Sequence, residues 1–312
     1  MGSLASRDGL AFVLLGLIWG SAYLAVEVGG EILGPLSFVS MRLTIGAAIL
    51  LVVLRVRHEG LPSRALIGHV ALVGLSGVAL PFTLITWGQR GVDAGLASLF
   101  NAATPLFTVV LAGLLLRDEP LRPGRLAGVV VGFGGVVVVV GGGIEGGGSP
   151  ASIVALLVAV ASYAVTAVYT RRFLRGQRPV ALAAGQILTG LAITAPLAVL
   201  IERPALIVPP AATVEALLWL GVTASAVAPL LFFHLIASWG AARTSIVNYL
   251  IPLVGVSAGA VILGESVGPA TVLGGLVVIA GVAIATRAPA RGSGGSGVDA
   301  GVAPAQVVPA PA

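Results

Sequence analysis

The 312 residues carry 57% hydrophobic and 9% charged side chains, against about 25% charged in a soluble domain. Far too little polar surface exists to cover a water-soluble fold, and the chain reads as an all-α integral membrane protein. All 17 basic residues are arginine and the net charge is +5, which in so apolar a background points to orientation in a bilayer and not to a nucleic-acid partner. Cysteine is absent, so disulfides, thiol catalysis and thiolate-bound metals are excluded.

Crossing a bilayer takes roughly 20 apolar residues per helix. Ten segments qualify, at approximately 9–29, 36–54, 66–88, 94–116, 124–142, 150–170, 180–201, 213–236, 242–263 and 269–287. The first follows Arg7 as a signal peptide would, but its apolar run is too long for a signal core, and it is read as a helix. If the N-terminus is cytoplasmic, fourteen arginines fall on the cytoplasmic side, Arg90 and Arg203 fall outside, and Arg42 lies within a helix. That bias predicts a multi-pass protein of the cell membrane with both termini in the cytoplasm. The glycine cluster Gly141–Gly148 reads as a flexible outer loop between two halves. Residues 288–312, rich in Gly, Ser, Ala and Pro, read as a disordered cytoplasmic tail.

The halves are copies. SLFNAATPL from Ser98 recurs as SIVNYLIPL from Ser245, matching Asn101 with Asn248 and Pro105 with Pro252 at an offset of 147 residues. Trp19 matches Tyr163 and Pro35 matches Pro179 at 144, which sets Arg42 opposite Gln186, and Glu119 matches Glu265 at 146. A drifting offset with fixed landmarks is the mark of a duplication with small insertions. The repeats are expected at 1–143 and 144–287. Each holds five spans, an odd number, so the second is inverted relative to the first, the arrangement that underlies alternating access. Within each duplicated motif, proline removes a donor and frees the carbonyl of the asparagine four residues back. Pro105 and Pro252 are therefore expected to break their helices and mark a binding site.

The order WGSAYLAVEVG, PLSFVSMRL, Ser-x-x-Asn-x-x-x-Pro-Leu, then LLLRDEPLRPGRLAGVVVGFGGVVVV resembles an EamA domain of the drug/metabolite transporter superfamily. VASYAVTAVYTRR and ASWGAARTSIVNYLIPLVGVSAGAVILGESVGP resemble a second copy. The resemblance implies ten helices as two inverted EamA repeats, with small metabolites moved outward through a cavity between them. Many relatives carry a basic residue where this chain has Glu27, so substrate class does not carry over.

Trp19, Tyr23 and Glu27 stack along one face of the first helix, with Tyr163 at the matching place in the sixth. Glu27 is a carboxylate inside a predicted span, which suits proton coupling or a cationic substrate. Arg42 either snorkels outward, pairs with Glu27 or holds an anionic group. Asn101 and Asn248 can donate and accept toward a polar metabolite, while Ser98 and Ser245 suit helix packing. Trp87 and His234 occupy matching places ahead of the proline helices. Gly128 and Gly132 form a GxxxG pair that suits internal packing or a homodimer face. Asp118, Glu119 and Glu265 read as loop and capping charges. No metal-ligand cluster, cofactor motif or nucleophile is evident, so an enzyme is not expected. The leading reading is a secondary transporter exporting a small molecule, with a flippase of lipid-linked substrates and a membrane-embedded enzyme as alternatives.

Overall fold

The structure, a computed structural model, describes residues 2–116, 121–145, 147–204, 208–239, 244 and 247–286. All regular structure among them is helical. The spans are α1 (Gly2–Gly29), α2 (Pro35–Val56), α3 (Arg64–Gly88), α4 (Ala94–Leu115) and α5 (Pro123–Glu145). In the second half they are α6 (Pro150–Phe173), α7 (Pro179–Glu202), α8 (Ala211–Trp219 running through Leu220–Val227 into Ala228–Trp239), α9 (Val247–Leu263) and α10 (Pro269–Thr286). Each overlaps a predicted segment; among the described residues nine are long and apolar enough to cross a membrane, and α9 is a shorter apolar helix. Ser245, Asp118, Glu119 and the tail after Thr286 lie outside the described residues.

Local chemistry sets the boundaries. The helices α2, α5, α6, α7 and α10 all open on proline, whose fixed φ suits a first helical position and whose missing N–H costs nothing there. At their far ends α2 and α7 close on His58 and Arg203, both left-handed at φ 53° and 47°. These matched strained residues are a conformational trace of the duplication. Wider π turns interrupt α3 at Leu75–Ala79 and α8 at Leu220–Val227, again in corresponding places. A further one in α7, Ala198–Glu202, adds a residue locally, which fits the drift in offset between repeats.

The packing obeys the inversion. Exchanging each helix of one half for its counterpart in the other maps α1 on α9 onto α6 on α4, α3 on α6 onto α8 on α1, and α2 on α8 onto α7 on α3. The pairs α2–α7, α4–α9 and α5–α10 map onto themselves. The most extensive of these contacts joins α5 to α10. There a Cβ on Gly281 would lie 2.3 Å from the Cα of Gly132, and one on Gly128 would lie 2.7 Å from the carbonyl oxygen of Gly281. The GxxxG pair is thus spent on internal packing, as close approach of helices in lipid requires. Part of the expected glycine loop serves the same seam: α5 continues through Gly141–Gly143 to Glu145, with Gly142 close to Ala270.

The two proline motifs differ. In the first, α4 breaks at Ala102–Ala103, and Pro105 begins the new segment Thr104–Leu115. In the second, Pro252 does not break its helix, which runs unbroken over Val247–Ala258. Leu250 fills the space over Gly16 and Val254 that over Gly20, so contacts with α1 hold α9 regular on both sides of the proline.

Connections 30–34, 89–93, 147–149 and 264–268 meet on one side of the bundle, where Ser149 N–H donates to Gly91 and Arg90 donates to Gly30 and Leu33. We call this the far side. The terminal side, where α1 begins, joins Asp8 to His234 and Arg172 to Leu115.

Candidate functional site

Helices of both halves converge on Arg42. It lies two turns into α2 and is buried at 5% exposure. Its guanidinium sits 4.1 Å over the Phe82 ring of α3 and donates to Ser225 Oγ of α8 at 3.3 Å from Nη2 and 3.4 Å from Nε. Tyr163 of α6 lies within electrostatic reach of both Arg42 and Tyr23. Trp19 packs against Phe232 of α8, the rings tilted at 49° with centroids 5.4 Å apart. Trp19, Tyr23, Arg42 and Tyr163 therefore gather in the interior, joined by Phe82 and Ser225. The expected escape routes for Arg42 are not taken: it neither snorkels to a surface nor pairs with Glu27. Its place two turns into α2 and the facing ring of Phe82 keep it inside the bundle. No carboxylate partners it among the described residues.

Glu27 belongs to a separate far-side cluster. Its Oε2 accepts from Gln89 Nε2 at 3.2 Å, and the same nitrogen donates to the Tyr23 carbonyl at 2.9 Å. Gln89 is buried and its Oε1 has no partner. Both side chains line a cavity of about 330 Å³ with Glu31, Thr86 and Arg90. Gln89 escaped sequence reasoning because an uncharged polar residue at a span's end looks like the start of a loop.

Ser98 and Asn101 are buried in α4, where Asn101 Oδ1 accepts from Thr104 Oγ1 at 3.3 Å across the helix break. Asn248 is half-buried in α9. Trp87 is 42% exposed, away from the interior group. His234 sits at the terminal side, 2.9 Å from Asp8 and largely exposed.

Two carboxylates join the halves on the far side: Glu202, which no motif singled out, and Glu265, read from the sequence as a capping charge. Glu202, at the end of α7, accepts from the amides of Leu36 and Ser37 at 2.8 Å each and from Ser37 Oγ at 2.6 Å, all in the first turn of α2. Glu265, after α9, accepts from the amides of Ala94 at 3.0 Å and Gly95 at 2.8 Å, the first turn of α4. Capping was the expected role of Glu265, but the helix it caps belongs to the other repeat. Burial pushes the Glu265 carboxyl above its ordinary 4.5; the Gly95 and Ala94 amides pull it back and nearby Asp93 adds to the rise.

A ten-helix bundle of two inverted five-helix repeats, with a polar group buried between them, defines a membrane transport protein. The EamA-like transporter family model matches residues 9–141 and 150–287, and the chain belongs to that family. It is similar to a protein of Streptantibioticus cattleyicolor named "Probable terminal-alkyne amino-acid exporter", 29% identical over 89% of this chain and 92% of the relative. It is also similar to a "Probable amino-acid metabolite efflux pump" of Salmonella typhimurium, 25% identical over 90% of this chain and 95% of that one. One crystal structure superposes with a TM-score of 0.64 at 22% identity, over 90% of this chain and 98% of the other, and so shares the fold.

Proposed function

We propose that the protein exports a small metabolite bearing a carboxylate, of amino-acid type, by alternating access between the two faces of the bundle. The observation that carries the reading is Arg42, a buried guanidinium held by helices of both repeats through a hydroxyl and a ring but facing no carboxylate among the described residues. A charge so placed is costly unless something pairs with it, and a guanidinium is shaped to take a carboxylate through two parallel hydrogen bonds. Tyr163 and Ser225 would orient the ligand, and Trp19 and Phe82 would cover its apolar part. The names of the two relatives agree with this class, and the inverted repeats supply two equivalent ways to open. The arginine bias supports a cytoplasmic terminal side, and Glu27 with Gln89 is the proposed coupling pair on the far side.

The test is efflux from vesicles containing the full chain, comparing amino acids with their amides and methyl esters. Transport should require the free carboxylate, and Arg42→Gln should remove transport while Arg42→Lys retains part of it, both variants melting near the parent. Equal movement of acids and amides, or full activity in Arg42→Gln, would overturn the reading.

A further inference from the structure

We infer that Glu202 and Glu265 form a paired latch that holds the far side shut, and that its release is the outward-opening step. The inference rests on alternating access but not on the identity of the substrate. Both carboxylates come from the second repeat and both seat on the first turn of a helix of the first repeat, so each bridges elements that must separate if the far side opens.

The seats are built for them. The α2 N-terminus has Gly34 at its cap position, which offers no side chain, and the α4 N-terminus has Asp93, whose side chain makes no cap hydrogen bond. The orphan amides of each first turn are left to a carboxylate from across the bundle, where the positive end of the helix dipole favours an anion. Glycines clear the room: a Cβ on Gly34 would fall 2.1 Å from Glu202, and one on Gly259 would fall 2.2 Å from Glu265. Glu265 is itself positioned by the left-handed Gly264 (φ 70°) that ends α9 and by its own amide, which donates to Gly259 at 3.1 Å. Five hydrogen bonds thus depend on two side chains. Because they are charged acceptors in partly buried seats, each latch biases the equilibrium by about tenfold or more.

The absence of cysteine makes the test clean. Ser98, fully buried one turn below the Glu265 seat, is replaced in the full chain by Ser98→Cys and its reaction with a water-soluble maleimide is followed in detergent. Ala112→Cys, at a site 3% exposed near the terminal end of α4, reports general loosening. Glu265→Ala should speed labelling at Ser98→Cys by about tenfold, and adding Glu202→Ala should speed it further, with Ala112→Cys unchanged. Unchanged labelling at Ser98→Cys overturns the latch, as does an equal rise at both reporters. Neither result bears on transport, which the efflux assay measures separately.

Discussion

Arg42 and Glu27 are two ionisable groups within the spans whose placement bears on chemistry, and the bundle keeps them apart. Arg42 gains a hydroxyl and a ring, worth less than the several kcal/mol that removing an ion from water costs, and that deficit is the ground for the proposed anionic ligand. Glu27 has the opposite partner, an amide offering both a donor and an acceptor. Gln89 Nε2 serves the ionised carboxylate, and its unpaired Oε1 can take the O–H of the protonated acid. The pair thus accommodates either protonation state, as a coupling site must. Glu27→Gln should leave substrate binding intact while removing the dependence of efflux on a proton gradient. An unchanged pH profile in vesicles would exclude Glu27 from coupling. Arg42 was legible in the sequence as an arginine well inside a predicted span, and Glu27 as a carboxylate within one. Their partners were not: Ser225 and Gln89 are ordinary polar residues that acquire meaning only by contact across 183 and 62 positions. The latch carboxylates left a faint signal at Gly34, a helix start with nothing to cap it.

Hydropathy alone locates the helices, because in lipid each span must satisfy its own backbone and needs enough apolar length to cross. It does not locate their irregularities. The π turns of α3 and α8 answer tertiary packing and have no residue signature, and the same Pro-Leu motif breaks α4 but not α9 because only α9 has Gly16 and Gly20 beneath it. The glycine seam between α5 and α10 shows how strongly packing discriminates within one helix. Gly281 has the backbone of Gly132 against its missing Cβ, whereas Gly134 has nothing within 4 Å. Gly281→Ala should therefore destabilise by about 1–3 kcal/mol through overpacking. Gly134→Ala should be neutral or gain up to about 1 kcal/mol by lowering the freedom of the unfolded chain. Melting of the two variants in detergent checks the contrast, and equal shifts would dissolve the close-packed seam.

At the scale of the whole molecule, opening requires the second repeat to release the first, and the latch ties that release to the pH of the far side. With Glu265 latched, loss of water raises its carboxyl above 4.5 more than the two amides lower it, and Asp93 adds to the rise; Glu27 also lies within electrostatic reach. In an open state the same carboxyl is solvated and titrates at its ordinary value, so the latched state binds the proton more tightly. By linkage, falling pH favours the state with the higher pKa. Acid should therefore hold the far side closed, in the window between the raised value and 4.5, with the dependence fading above and below it. A neutral carboxyl still accepts through its carbonyl oxygen, so protonation need not dissolve the seat. The measurement is the labelling rate of Ser98→Cys with Glu265 present, divided by that with Glu265→Ala, which cancels the slowing of the maleimide reaction itself in acid. The ratio should fall as pH is lowered from about 7.5 to about 5. A ratio that rises would mean that the amides outweigh desolvation, making acid the opening signal. A flat ratio would mean that Glu265 titrates alike in both states and that the latch is blind to pH.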